Sequence, residues 1–178
     1  MKVRLSPYNP DWVNEYKKEC KRLSELFGDL VIQFEHFGST SIVNMKAKPV
    51  IDMLIIVKNI DKVDQLNPYI RELGYDIAGE WGIEGRRLLR KGGEDRTHHI
   101  HIYQEGNEEI DRHLIFRDYL RIHTKEAVKY SQFKEQLAMK YQDTNEYSKA
   151  KRSYVSELEQ RALEWYKKRE RAPLIKIE

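Results

Sequence analysis

Residues 49 to 57 read PVIDMLIIV, a run that would be apolar on both faces of a β-strand. A strand with one wet face alternates apolar and polar side chains, whereas one that does not alternate needs cover above and below. The strand is therefore expected at the centre of a sheet, with further elements packed on both sides of it. One residue breaks the pattern. Asp52 shares a strand face with Val50, Leu54 and Ile56. A buried, unpaired carboxylate costs several kcal/mol, so Asp52 needs a cation, hydrogen-bond donors or open solvent at the strand's end. An ordinary ion pair with Arg or Lys answers that need as well as a functional site does.

The rest of the chain supplies the cover. After Asn9-Pro10, the residues Trp12, Val13, Tyr16, Cys20, Leu23 and Phe27 recur at helical spacing, and Gly28 marks the stop. VIQFEHF (31 to 37) reads as a strand ending at Gly38. Residues 61 to 73 read as helical turns interrupted at Asn67-Pro68, with YDIAG, RRLLRK and THHIHIY as the remaining strands. From Asn107 the spacing predicts helices over roughly 107 to 122, 124 to 142 and 147 to 171. The order is N-terminal helix, mixed sheet, helical tail, an α+β arrangement. No repeat and no Gly-, Pro- or Ser-rich linker divides it, so 178 residues are expected to form a single domain, 1-178, with a sheet core of about 30-104 and C-terminal helices of about 107-171.

Composition excludes some functions. With 32 basic and 29 acidic residues the net charge is +3, too small for an extended nucleic-acid surface. One cysteine, Cys20, forms no intrachain disulfide. The opening MKVRLSPYNPDW lacks the apolar stretch of a signal peptide, and no run reaches membrane-spanning length. A cytoplasmic protein without a membrane partner is expected.

Three groups of residues could carry chemistry. Gly38-Ser39-Thr40-Ser41 follows a strand and precedes SIVNMKA, which could start helically; such a turn points backbone amides and hydroxyls at an anion, or merely caps a helix. His99 and His101 share a strand face and His36 could join them, as a zinc site or, more in keeping with the spacing, as hydrogen-bonding or proton-moving imidazoles. Arg117 and Arg121 fall inside the apolar arc of the 107 to 122 helix. They want an anion there, either a structural carboxylate such as Glu35 or a ligand phosphate. Arg86, Arg87 and Arg90, after the loop GEWGIEG, have the same two readings.

Together EHFGSTSI, AKPVIDMLI, GEWGIEGRR, HHIHIY and FRDYLR, in this order and with SPYNPDW and the Tyr130, Lys134, Leu137 pattern, resemble the GrpB-like family, placed in the nucleotidyltransferase superfold. The resemblance implies a bacterial protein with a nucleotidyltransferase-like mixed sheet, a Gly-Ser turn holding nucleotide phosphates, and a Dx[DE] pair on the next strand holding metal. Gly38 and Ser39 match the turn, Asp52 matches the first acid, and Leu54 stands where the second is expected. The implied ligand is a nucleotide or phosphorylated small molecule, and the implied cofactor Mg2+ or Mn2+ rather than zinc, held by Asp52 with Glu35, Glu80 or Glu84 recruited in place of the absent acid. On this reading His36, Ser39, Thr40, Ser41, Lys48, Arg86 and Arg117 bind ligand, while Asp52, His99 and His101 serve nucleotidyl or phosphoryl transfer. A non-catalytic phosphate-ligand binder is the alternative, and a metal hydrolase using His36, His99 and His101 is a third reading.

Overall fold

The structure, a computed structural model, describes residues 3 to 171. Helix α1 (Asp11–Phe27) begins after Pro10, with the Asp11 amide donating to Asn9 Oδ1 (3.0 Å), and ends at Gly28, whose φ of 49° lies in the left-handed region. It buries Trp12, Leu23 and Phe27. Strands β1 (Val31–Phe37) and β2 (Ile51–Val57) run antiparallel. Helices α2 (Asp61–Gln65) and α3 (Asn67–Glu72) break where Pro68 opens the second. Strands β3 (Tyr75–Gly79), β4 (Arg87–Lys91) and β5 (His98–Gln104) follow. The chain then becomes α4 (Glu108–Ile122), α5 (Thr124–Lys140) and α6 (Thr144–Arg171). Asn107 caps α4 by accepting from the Glu109 amide at 2.9 Å.

The five strands lie in the order β1-β2-β5-β4-β3, with β2 parallel to β5 and every other pair antiparallel. The unalternating strand β2 is interior, one place from the middle, and the alternating β5 takes the centre. One face of the sheet presents Met53, Ile55, Val57, Leu89, Ile100 and Ile102 to α1, α2 and α3. The other presents Phe37, Leu54, Ile56 and Tyr103 to Ile110 and Leu114 of α4. A third apolar cluster joins α4, α5 and α6 to Ile42 and Met45 of the segment between β1 and β2.

That segment departs from its reading. SIVNMKA starts no α-helix: one 3-10 turn spans Ser39–Ser41, and Ile42 is extended. Ile42 and Met45 are 4% and 1% exposed beneath the C-terminal helices, so tertiary burial overrides local preference. In α5, Val128 is 53% exposed, and Ala127, Tyr130, Ser131 and Lys134 are the buried residues.

Candidate functional site

Register brings the predicted residues together. Phe37 pairs with Asp52 and Asp52 with His99, so the end of β1, the start of β2 and the start of β5 share one face at one end of the sheet. Gly38 turns the chain directly over Asp52. Its φ of 69° and ψ of −174° belong to a region open essentially to glycine alone, and a Cβ there would overlap Asp52 Oδ2 and lie 3.0 Å from its Cβ and Cγ. The hydroxylated turn and the lone aspartate are thus packed against each other.

Beside them lies a cavity of about 280 Å³ lined by Ser39, Thr40, Lys48, Asp52 and His99, and by Lys134, Tyr147 and Lys151 of the C-terminal helices. Asp52 stays 29% exposed, with Oδ1 3.4 Å from His99 Nδ1. Burial opposes its ionisation, but His99 first, then His101 and Lys151, outweigh burial and hold the carboxyl below its ordinary value. Lys134, 2% exposed, donates from Nζ to Ser39 Oγ (2.9 Å) and to the Lys46 carbonyl. The fully buried Tyr147 ring stands between Lys48 Nζ, 4.9 Å from its centroid, and Lys151 Nζ, 5.8 Å away. Burial and the charge of Lys151 pull Lys48 down to about 8 and Lys134 down to about 7.

Other predicted residues lie elsewhere. His36 is on the opposite sheet face, paired across from Met53, stacked on Tyr16 of α1 at 4.8 Å and bonded through Nε2 to Thr40 Oγ1 at 3.0 Å. It therefore does not join His99 and His101. His101 sits deeper than His99, against Phe37, His113 and the Arg86 guanidinium, and burial lowers it to about 4. Arg86 is 6% exposed, with Nε and Nη2 donating to the carbonyls of Glu80 and Trp81, so it braces the GEWGIEG loop. Arg117 is engaged by Glu35, Asp118 and the His36 carbonyl, and Arg121 by the Ser41 carbonyl. Ser41 donates its hydroxyl to the Gly38 carbonyl at 2.7 Å and lines a separate cavity of about 690 Å³ with Tyr16, His36 and Arg121.

The acids proposed to help Asp52 likewise lie elsewhere. Glu35 pairs with Arg117, Glu80 accepts from the Gly85 amide, and Glu84 is exposed in the loop. Leu54 is fully buried among Phe37, Ile56 and Tyr103, where a carboxylate would be stripped of water. Among the described residues no three His, Cys, Asp or Glu side chains gather as metal ligands. One carboxylate among three lysines does not fit a two-cation site.

Lys134 and Lys151 were not among the expected ligand-binding residues. The signal was present in the spacing: Tyr130-Lys134-Leu137 and Tyr147-Lys151-Tyr154-Leu158 each put a lysine into an apolar helical arc, as Arg117 is put in α4.

A family model described as GrpB protein matches residues 2–161. YqkA of Bacillus subtilis is 45% identical over 172 residues, which cover 96% of this chain but 50% of that protein, so the chain spans about half its length. The glutamate-rich protein GrpB of Alkalihalophilus pseudofirmus is 30% identical over 162 residues, 88% of this chain and 93% of that one. The crystal structure of the conserved protein GrpB from Enterococcus faecalis superimposes with a TM-score of 0.88 at 41% identity, covering 92% of this chain and 99% of that one. A family match along nearly the whole chain and a shared three-dimensional frame lead to one conclusion: the chain belongs to the GrpB family.

Proposed function

We propose that the protein binds a phosphorylated small molecule, with a nucleotide as first candidate, in the cavity between the 38–41 turn and helices α5 and α6. One observation carries the reading: Lys48, Lys134 and Lys151 converge on about 280 Å³ in which Asp52 is the single carboxylate. Breaking up buried charge pairs is costly, and a buried ammonium without a carboxylate partner is stabilised by any anion that enters. Oxygens of a phosphate would accept from Lys48, Lys151 and the Ser39 and Thr40 hydroxyls at once. The cavity is at the small end for ligand sites, enough for the charged end of a ligand. A groove of about 710 Å³ along Lys48, Pro49 and Val50 adjoins it and has room for the remainder.

The Asp52–His99 contact favours a second reading, group transfer. His99, oriented by the carboxylate, would take a proton from an acceptor hydroxyl while the lysines neutralise charge on the phosphoryl group. A nucleotidyltransferase-like ancestry of the fold would suit that chemistry, but the single acid argues for binding first.

Thermal melts of the full chain with millimolar pyrophosphate and with each nucleoside triphosphate, with and without Mg2+ or Mn2+, test both readings. Binding predicts a raised melting temperature with pyrophosphate alone. Release of pyrophosphate from a triphosphate would add transfer, and full metal dependence surviving Asp52→Asn would remove Asp52 as a cation ligand. No shift with any phosphate compound overturns the proposal.

A further inference from the structure

We infer that Lys134 is a nucleophilic amine, and that the cavity condenses it with the carbonyl carbon of a phosphorylated aldehyde or ketone to form an imine. The inference rests on the phosphate-binding reading of the same cavity and adds the class of the ligand's other end.

Hydrogen-bond supply at Lys134 is the first reason. A neutral primary amine has two N–H donors and one lone pair, and an ammonium has three donors and none. Lys134 Nζ has two acceptors among the described residues, Ser39 Oγ and the Lys46 carbonyl, which occupy two N–H bonds; in the neutral amine, the remaining position on the nitrogen is a lone pair, and the side chain lines the cavity. Its surroundings are the second. The side chain is 2% exposed, and two further ammonium groups, Lys48 and Lys151, line the same space. Desolvation and a neighbouring cation are the two physical means by which a lysine becomes a nucleophile. Asp52, His99 and Tyr147 line the same cavity, and the Tyr130 ring lies 4.8 Å from Nζ. Asp52 favours the charged form, yet burial and Lys151 prevail and draw Lys134 down to about 7.

The third reason is division of labour. Lys48 and Lys151 flank one aromatic ring, Tyr147, and present charge to a phosphate, while Lys134, the most buried of the three, is bonded to the turn. In the step itself, Nζ forms a C–N bond to the carbonyl carbon as the C=O electron pair moves to oxygen, which takes a proton. The C–O bond of that carbinolamine then breaks. Its oxygen departs as water with the second nitrogen proton, and the nitrogen pair closes C=N. Aldehyde and amine give imine and water, with no oxidation or reduction. His99, bonded to Asp52 within the same cavity, is placed to pass the protons.

Glyceraldehyde 3-phosphate and unphosphorylated glyceraldehyde are the probes, each incubated with the full chain at pH 7 under cyanoborohydride, with modified lysines located by peptide mass spectrometry. The expected result is reduced adduct at Lys134 formed at least roughly tenfold faster than at any other lysine, only with the phosphorylated probe, and suppressed by pyrophosphate. Lys134→Arg loses that adduct; should the variant not fold, site mapping on the unaltered chain decides alone. Pyrophosphate that stabilises the protein while Lys134 labels no faster than surface lysines overturns this inference and leaves the binding proposal standing. Labelling of Lys134 that ignores both phosphorylation and pyrophosphate overturns it too. Absence of both stabilisation and Lys134 adduct removes the two together.

Discussion

Gly38 and Asp52 define each other's positions. Replacing Gly38 by Ala combines a backbone region closed to side chains with a collision against the carboxylate, and a cost of about 2 to 3 kcal/mol is expected from urea unfolding. Adding Asp52→Ala should recover the steric part and leave the backbone part. Imidazole burial gives a second prediction at this scale. Burial holds His36 and His101 neutral down to about 4 and His113 down to about 3, whereas unfolded imidazoles titrate near about 6.5. Between those values the unfolded chain binds protons that the folded chain refuses. The histidine contribution is therefore flat above about pH 6.5 and falls as pH drops toward 4, by up to about 1.4 kcal/mol per pH unit for each histidine. Unfolding midpoints measured from pH 5 to 7 should show this slope, reduced by one histidine's share in His113→Phe. Asp52, Ser39 and Lys48 were legible from the sequence because strand parity and a short turn fix them locally. Lys134 was not, since 95 positions of chain separate it from its Ser39 partner.

Helix α4 shows how an element can be read correctly while its chemistry is not. The sequence placed Arg117 in an apolar arc and left two anions open, and the structure chooses the carboxylate of Glu35 with the His36 carbonyl. Arg117 ties α4 to the edge strand β1. Arg117→Met should therefore lower stability by about 3 kcal/mol, leaving Glu35 unpaired, while pyrophosphate affinity stays within about a factor of two. A large affinity loss with unchanged stability would return Arg117 to the ligand. SIVNMKA, which could have started helically, starts no α-helix for a similar reason. Its small residues and Ile42 satisfy a one-turn start, but burying Ile42 and Met45 beneath α5 and α6 gains more than further helical turns would.

At the scale of the whole molecule, the cavity has two walls distant in sequence: the sheet end with its turn, and the helices α5 and α6 folded back over it. Gathering three lysines there costs stability until an anion arrives. Lys151→Ala should thus raise the melting temperature of the free protein slightly, yet weaken pyrophosphate binding by about tenfold, close to 1.4 kcal/mol; calorimetry and melts on the same sample check both signs. The sequence by itself determined the elements, their order, the two-sided burial of β2 and the exceptional place of Asp52, because hydrophobic period and turn chemistry act over a few residues. Only the tertiary structure decided that His36 faces away from His99, that Arg86 and Arg117 are engaged by protein acceptors, and that lysines rather than a second acid line the cavity beside Asp52. Those outcomes depend on which distant charges meet in low-dielectric space, and pattern along a chain carries no such distances.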